Sequence, residues 1–159
     1  MKLFLLGAPC AGKTTLVPLL RRQLSCPVLD MDEELLRAND GTWPASFELK
    51  RALTDLILDE ASDLDEVVLA NSLLDEAQLE RLTAAGWEVG LLDLPESVMR
   101  ARAGERQARE GWTNIEWLPF HLRNIQELRA LQAFSHVFDA TRPPTELAAT
   151  LAALVAATP

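Results

Sequence analysis

Residues 7–14 read Gly-Ala-Pro-Cys-Ala-Gly-Lys-Thr and follow directly on the apolar stretch Leu3-Phe4-Leu5-Leu6. The string matches the pattern G-x-x-x-x-G-K-[ST], in which backbone N–H groups of a glycine-rich turn and the N-terminus of the next helix surround phosphate. An apolar run of strand length precedes it and a helical pattern follows, as this pattern requires. The stretch therefore predicts a strand, a phosphate loop and a helix, in that order.

Each part of this stretch has an expected task in binding a nucleotide. Gly7 and Gly12 permit backbone conformations and close approaches that a Cβ would obstruct. Lys13 is expected to reach the β- and γ-phosphates, and the Thr14 hydroxyl to ligate Mg²⁺. A chance glycine-rich turn is the alternative. The residues expected to contact the nucleotide here are Gly7, Ala8, Pro9, Cys10, Ala11, Gly12, Lys13, Thr14 and Thr15.

Composition limits the class of protein. The chain has 159 residues, of which 48% are hydrophobic and 25% are charged. These values predict one globular domain over residues 1–159, and no apolar run reaches the roughly 20 residues of a membrane span. A formal net charge of −9 disfavours nucleic acid and favours a small-molecule partner. Because Cys10 and Cys26 are too few for a disulfide framework, the expected location is a reducing cytoplasm.

Apolar runs of strand length alternate along the chain with amphipathic segments of helix length, a pattern typical of repeated βα units and a parallel sheet. The predicted strands are residues 2–6, 27–30, 66–71, 88–94 and 136–139. A helix-rich stretch over residues 33–62 is interrupted by the turn signal Asn39-Asp40-Gly41. Because this stretch is longer than a crossover needs, we expect it to hold a second substrate.

Two carboxylates, Asp30 and Asp32, come where the second predicted strand ends. Ligands collect at the carboxyl ends of strands in an open parallel sheet, so both should lie near the phosphate loop. Asp30 is expected to hold Mg²⁺ directly or through water, and Asp32 to accept a proton from a substrate hydroxyl. Each is also a candidate N-cap for the following helix, and the two roles are compatible.

The third predicted strand ends at Asn71, where many phosphate-loop proteins place an aspartate that helps to position Mg²⁺. No carboxylate follows this strand immediately, which either moves the expected metal ligand to Asp30 or indicates a weakened catalyst. Asn71 and Ser72 can hydrogen-bond a substrate or a metal-bound water, and capping the next helix is the alternative.

Basic residues dominate the segment after the fourth predicted strand. Helical spacing places Arg102, Arg106 and Arg109 on one stripe. Guanidinium groups that close over a triphosphate neutralise its charge during phosphoryl transfer, so we predict a catalytic role for all three. A solvated helix face paired with Glu105 and Glu110 is the alternative.

A helix break follows this stripe at Gly111-Trp112-Thr113-Asn114. Together with the glycine at 104, it predicts a mobile lid over residues 104–117, with hinges at its glycines.

These residues resemble the small P-loop kinases, which include shikimate kinase-like, gluconate kinase-like and nucleoside monophosphate kinase-like proteins. The resemblance rests on the stretch 7–14, the pair Asp30 and Asp32, the arginine stripe, and the ending Asp139-Ala140-Thr141-Arg142-Pro143. It implies an α/β, three-layer P-loop NTPase fold. The implied sheet has five parallel strands in the order 2-3-1-4-5, with helices on both faces and ATP over the loop.

The resemblance also implies roles for particular residues. A loop after the fifth strand contacts adenine in this family, and Thr141, Arg142 and Pro143 stand at that position. Paired acids in shikimate kinase-like members touch Mg²⁺ and the phosphoryl acceptor, in agreement with the roles expected for Asp30 and Asp32. The Gly-Gly pair that follows the third strand of shikimate kinases is missing here, which argues against shikimate itself as the acceptor.

The acceptor pocket has two candidate sets of lining residues. One lies on the helical insertion and the other on or beside the lid, and ordinary packing is the alternative for each aromatic member. Lys50 or Arg51 facing the pocket would favour an anionic acceptor. The two sets are Trp43, Phe47, Lys50 and Arg51, and Trp112, Trp117 and His121.

The predicted function is an ATP- and Mg²⁺-dependent phosphotransferase that moves the γ-phosphoryl group to a small-molecule hydroxyl or phosphate, acting as a monomer or homodimer. Lys13, Asp32 and the arginine stripe are its predicted catalytic residues. One alternative is a nucleotide-binding regulatory module with little turnover, for which Asn71 is the best support. Another is a polynucleotide-end kinase, which would want a basic groove that the charge of −9 disfavours.

Overall fold

Five parallel strands form a single sheet in the computed structural model, which describes residues 1–112 and 114–157. The order across the sheet is β2-β3-β1-β4-β5, so the predicted fold is confirmed. Every neighbouring pair is parallel, and β1 lies at the centre between β3 and β4. The strands are β1 Lys2–Leu6, β2 Val28–Asp30, β3 Val67–Asn71, β4 Trp87–Asp93 and β5 His136–Asp139.

Helices connect successive strands and surround the sheet. A short 3₁₀ helix, Asn114–Trp117, precedes the sixth α-helix. None of the described helices is both long and apolar enough to cross a membrane. The α-helices are α1 Lys13–Gln23, α2 Met31–Ala38, α3 Phe47–Ser62, α4 Glu76–Ala84, α5 Glu96–Glu110, α6 Leu118–Ala130 and α7 Pro144–Ala157.

The core forms around the central strand. Leu3, Phe4, Leu5 and Leu6 are all completely buried, so apolar side chains on both faces of β1 are covered. Continuous rather than alternating burial is typical of a parallel sheet covered on both sides. Helices α1 and α7 pack against each other, as do α2 and α3. This arrangement fixes the carboxyl end of β1, from which the phosphate loop emerges.

The helical stretch predicted over residues 33–62 consists of α2 and α3 with a turn between them. Asp40 and Gly41 both have positive φ, of 52° and 77°, which explains why the helix cannot continue there. Ser46 accepts a hydrogen bond from the Leu49 N–H (3.1 Å) and begins α3 as its N-cap.

Gly104, one of the glycines at which a hinge is predicted, lies inside a continuous helix. The helix does not break there, because α5 continues to Glu110 with i,i+4 ion pairs along its surface. Gly111, with φ 64°, ends α5 as its C-cap, as the sequence predicted. The lid and its hinges stay a prediction, and position 113 of the predicted lid lies outside the described residues.

Candidate active site

The phosphate loop joins β1 to α1 and is held against the end of β3. Gly7 donates its N–H to the Asn71 carbonyl (3.1 Å). A Cβ at Gly7 would come within 3.1 Å of the Ala11 Cβ and 3.2 Å of the Leu92 Cβ, so only glycine fits without displacement. Gly12 has φ 96°, the left-handed region that favours glycine. The two glycines of the motif thus serve packing and backbone conformation respectively.

The interior of the loop leaves backbone donors free at the start of α1. Ala11 donates its N–H to the Ala8 carbonyl (3.1 Å), and Cys10 adopts a positive φ of 68°. Gly12 is the N-cap of α1 and supplies no side-chain cap. The N–H groups of Gly12, Lys13 and Thr14 form no hydrogen bond with residues 1–112 or 114–157. Such free donors at a positive helix end are suited to phosphate.

Lys13 folds back over this loop. Its ammonium donates hydrogen bonds to the carbonyls of Gly7 and Ala8, the second at 3.1 Å. Burial lowers the pKa of Lys13 to about 8, although the nearby Asp32 and Asp30 carboxylates act to raise it. The Lys13 ammonium is therefore poorly solvated, and a bound polyanion would stabilise its charged form.

The sequence left two roles open for Asp30 and Asp32, capping of the following helix and action at the site, and the surroundings of the two carboxylates differ. Asp30 ends β2 and is the N-cap of α2, where its carboxylate accepts the Asp32 N–H (2.9 Å). Burial raises the pKa of Asp30, with the neighbouring Asp32 charge adding to the effect. The Asp32 carboxylate is exposed and makes no hydrogen bond or ion pair with any described residue. Asp32 is thus free to bind another molecule.

The end of β3 supports the loop and also reaches α6. Asn71 is 9% exposed, and its side-chain oxygen accepts the N–H of Ser72 (2.7 Å). The Ser72 carbonyl accepts a hydrogen bond from Nδ1 of His121 (2.9 Å). Asn124, one turn further along α6, donates to the Leu74 carbonyl (2.8 Å). The Asn71 side-chain oxygen is therefore engaged with the backbone of the next residue, and α6 is held beside the site.

The three arginines of the predicted stripe differ in their surroundings. Arg102 approaches the phosphate loop, where its Nη1 donates to the Cys10 carbonyl (3.4 Å). Arg106 lies near enough for its charge to help lower the pKa of Lys13. It also pairs with Glu110 (2.9 Å), in part as the alternative anticipated. Arg109, whose side chain is 74% exposed, pairs with Glu110 as well (2.7 Å) and makes no described contact with the loop.

The predicted adenine-contacting residues follow β5 at the same edge of the sheet. Thr141 donates both its N–H (2.9 Å) and its hydroxyl (2.6 Å) to the Asp139 carboxylate. These hydrogen bonds lower the pKa of Asp139. Arg142 pairs with Glu146 (3.1 Å) on α7, and Pro143 precedes that helix. The segment is thus a fixed, exposed turn.

The aromatic residues considered for the acceptor pocket are mostly outside the core. Phe47 is 61% exposed and Trp117 54% exposed, and the Trp117 ring contacts the Phe120 ring edge-on with centroids 6.3 Å apart. The Lys50 ammonium lies 5.0 Å from the centroid of the Trp43 ring. Trp112 lies under the Arg106 guanidinium at the same distance.

The two basic candidates on α3 have different surroundings. Arg51 pairs with Asp75 (2.8 Å), whereas Lys50 makes no ion pair with any described residue. Lys50 also acts on the pKa of His121, which it helps to lower. The Lys50 charge is therefore balanced by no described carboxylate, although its ammonium lies over the Trp43 ring.

Magnesium would depend on few protein ligands here. The described part of the chain contains no group of three or more His, Cys, Asp or Glu side chains that could hold a metal ion. Thr14 lies exposed in the first turn of α1, and the half-buried Asp30 carboxylate accepts capping hydrogen bonds from α2 with lone pairs to spare. Magnesium usually takes one or two protein oxygens together with phosphate and water. The oxygens of Thr14 and Asp30 fit that pattern.

One contact at this site could not be predicted from the sequence. The bond between His121 and Ser72 joins residues 49 positions apart, and only the seating of α6 beside the loop after β3 creates it. The single signal was a histidine close to a predicted lid, which indicates neither a partner nor a role.

The strands follow the order 2-3-1-4-5, the N–H groups of the phosphate loop are free, and the Lys13 side chain lies over that loop. These features together define a P-loop nucleotide-binding protein. A shikimate kinase from Aquifex aeolicus is 30% identical over 117 residues, which are 69% of this chain and 69% of that protein. An adenylate kinase from Mycobacterium marinum is 37% identical over 119 residues, 73% of this chain and 60% of that protein. The chain belongs to the family of small P-loop kinases, and it is a small-molecule kinase.

Solved structures agree with this fold. The crystal structure of the Aquifex aeolicus shikimate kinase matches with a TM-score of 0.74 at 20% identity, covering 99% of each chain. No family model matches the chain. The assignment to the kinase family therefore rests on the sequence relatives, and the structural similarity supports only the fold.

Proposed function

We propose that this kinase transfers the γ-phosphoryl group of ATP to a hydroxyl group of a small anionic molecule, with Mg²⁺ as its cofactor. The observation that carries the proposal is the unpaired Asp32 carboxylate, whose charge acts on Lys13 beside the phosphate loop. A carboxylate next to a phosphate-binding lysine can orient a hydroxyl toward the phosphorus and take its proton.

The phosphate loop would bind and position the donor. The free N–H groups of Gly12, Lys13 and Thr14 would donate to phosphate oxygens, and the Lys13 ammonium would leave the Gly7 and Ala8 carbonyls for the β- and γ-phosphates. Thr14 and Asp30 would hold Mg²⁺, which supplies charge neutralisation at the phosphates when bound.

At the other end of the donor, Thr141, Arg142 and Pro143 would contact the base. Their exposed turn lies beside β4 and β5, at the same edge of the sheet as the loop. The Thr141 and Arg142 carbonyls, which accept no hydrogen bond from a described residue, would recognise the base, while the bonded N–H groups and anchored side chains hold the turn in shape.

Asp32 would act at the acceptor. As the acceptor oxygen forms its bond to the γ-phosphorus, the bond from that phosphorus to the β–γ bridging oxygen breaks and the hydroxyl proton passes to the Asp32 carboxylate. Arg102 and Arg106 would stabilise the charge on the transferring group, because both approach the loop. The contribution of Arg109 requires it to leave Glu110.

An anionic acceptor is favoured by the charges of the insertion. Lys50 makes no ion pair among the described residues, whereas Arg51 is committed to Asp75 (2.8 Å). A carboxylate or phosphate of the acceptor would therefore meet Lys50.

The test is a transfer assay with Mg²⁺ and γ-labelled ATP against hydroxy acids, sugar acids, nucleosides and antibiotics. We expect a labelled phosphomonoester together with ADP from at least one hydroxy acid or sugar acid, whereas product from the nucleosides or antibiotics alone would contradict an anionic acceptor. ATP binding by calorimetry without any product from the panel would instead favour the regulatory module. Salt-dependent binding of single-stranded DNA, with label appearing on its 5′ end, would favour the polynucleotide-end kinase.

A further inference from the structure

Glu110 binds two of the three arginines of the α5 stripe. Its Oε2 accepts a hydrogen bond from Nε of Arg106 (2.9 Å), and its Oε1 accepts one from Nη2 of Arg109 (2.7 Å). Each carboxylate oxygen therefore holds one guanidinium, and Arg109 and Arg106 both lower the pKa of Glu110. Arg102 makes no ion pair with any described residue and contacts the Cys10 carbonyl of the phosphate loop (3.4 Å).

The spacing along α5 explains this division. Arg102, Arg106 and Glu110 follow one another at intervals of four residues, so the carboxylate lies on the arginine stripe itself, one turn beyond Arg106. The phosphate loop is at the opposite end of this stripe, where Arg102 contacts it. Arg106 therefore stands between the loop and the carboxylate.

Arg106 is close to the loop but has its direct contacts at the C-terminal end of α5. Its charge helps to lower the pKa of Lys13 in the loop. Its Nε bonds Glu110, and its Cζ lies 5.0 Å from the centroid of the Trp112 ring. The guanidinium is thus within reach of the phosphate site while a carboxylate and an aromatic ring hold it.

The Arg106–Glu110 pair is poorly placed to stabilise the helix. Glu110 is the last residue of α5, where a negative charge meets the negative end of the helix dipole. The order of the pair, basic before acidic at i,i+4, is also the less favourable one. Both side chains are 43% exposed, and an exposed ion pair contributes little to stability. Helix stability therefore does not account for a carboxylate at this position.

A bound phosphate would compete with Glu110 for Arg106. Carboxylate and phosphate oxygens accept the same forked N–H donors of a guanidinium, and a triphosphate carries more negative charge than a carboxylate. Displacement would not leave the carboxylate unpaired, since Arg109 also binds its Oε1 through Nε (3.2 Å) and Nη2 (2.7 Å). Arg106 can therefore be exchanged between Glu110 and a phosphate at small cost.

We propose that Glu110 restrains Arg106 until a nucleotide binds, so that its carboxylate competes with the phosphates and lowers the affinity for nucleotide. The proposal rests on the donor-binding part of the proposed function, in which Arg106 approaches the phosphates at the loop. Glu110 touches no reacting atom and acts through Arg106, so it is a positioning residue.

The test measures binding of a non-hydrolysable ATP analogue with Mg²⁺ by calorimetry, which requires no acceptor. Glu110→Gln removes the charge and keeps the shape of the side chain. Glu105→Gln is the matched control, because Glu105 is exposed on the same helix and makes no ion pair with any described residue. We expect Glu110→Gln to lower the Kd about threefold, the size of one exposed ion pair, and the control to change it less.

A double-mutant cycle assigns the effect to Arg106. In an Arg106→Ala background, Glu110→Gln should no longer lower the Kd, because the group that Glu110 restrains is absent. A kinetic readout separates this role from a structural one. With an acceptor found by the transfer panel, Glu110→Gln should lower the KM for ATP and leave kcat unchanged, since Arg106 has left the carboxylate once the nucleotide is bound.

Three binding results would overturn the proposal. The first is an unchanged or higher Kd in Glu110→Gln, and the second is an equal fall in Glu105→Gln, which indicates only the net charge of the chain. The third is a gain that persists in the Arg106→Ala background. In each case the nucleotide still binds and the proposed function stands. Conversely, a transfer panel without product would refute the proposed transfer, while the expected binding cycle would still establish the competition at Arg106.

Discussion

ATP binding should be accompanied by proton uptake at Lys13. The free protein holds this ammonium against two backbone carbonyls with its pKa lowered to about 8. Triphosphate oxygens favour the charged form, so binding returns the pKa of Lys13 toward its ordinary value above 10. Nucleotide binding itself therefore changes the protonation of Lys13, and the protein takes up a proton from the buffer.

The expected size follows from the fraction of Lys13 that is deprotonated before binding. With a pKa of about 8, that fraction is about 0.1 at pH 7, about 0.5 at pH 8 and about 0.9 at pH 9. Proton uptake per bound nucleotide should rise through the same values. The apparent affinity for ATP should fall as the pH rises above 8, because the proton must then be supplied at binding.

Calorimetry measures this uptake directly. The heat of binding of a non-hydrolysable ATP analogue is compared between two buffers with different heats of ionisation, at each of the three pH values. Lys13→Arg should abolish the uptake, because its guanidinium remains protonated throughout. Cys10→Ser controls for the thiol of the same loop. Equal uptake at pH 7 and pH 8, or unchanged uptake in Lys13→Arg, would refute the reasoning.

Three further variants test other parts of the site and fold. Asp30→Asn keeps an N-cap but removes a charge, so Mg²⁺ affinity measured by titration should fall while Tm stays nearly constant; a large fall in Tm alone would leave only the capping role. Arg102→Ala should lower kcat more than Arg109→Ala, since only Arg102 contacts the loop, and steady-state assays giving the reverse order would contradict this. Gly90→Ala should lower the free energy of unfolding by about 1–3 kcal/mol, because its Cβ would lie 2.9 Å from the Phe138 ring; an unchanged denaturation midpoint would exclude that clash.

The sheet could be predicted from the sequence because its signals are local. Each strand lies within one residue of its predicted bounds, and the deviations have simple causes. The second strand begins at Val28 rather than at the preceding proline, which has no N–H to donate, although its carbonyl still accepts the Val68 N–H (3.0 Å). Strand order followed from family resemblance rather than from any single pattern.

The side-chain arrangement could be predicted only in part. Asp30 and Asp32 present the same chemistry in the sequence, and the extended backbone at Asp30 (φ −106°, ψ 121°) decides that it is the cap. Gly104 is a helix breaker by propensity, yet the residues around it keep α5 helical. The contact between Arg102 and Cys10 spans 92 positions, so it depends on how α5 is seated over the loop.

The central claim is that Asp32 serves the acceptor and not the nucleotide. The most direct measurement compares ATP affinity and transfer rate in Asp32→Asn, with Glu33→Gln as the matched control, because that neighbouring carboxylate pairs with Arg21 on the surface (2.7 Å). We predict nearly intact ATP affinity and a loss of about 10²–10⁴ in kcat for Asp32→Asn, with little change in the control. Equal losses of affinity and rate in Asp32→Asn would contradict the account.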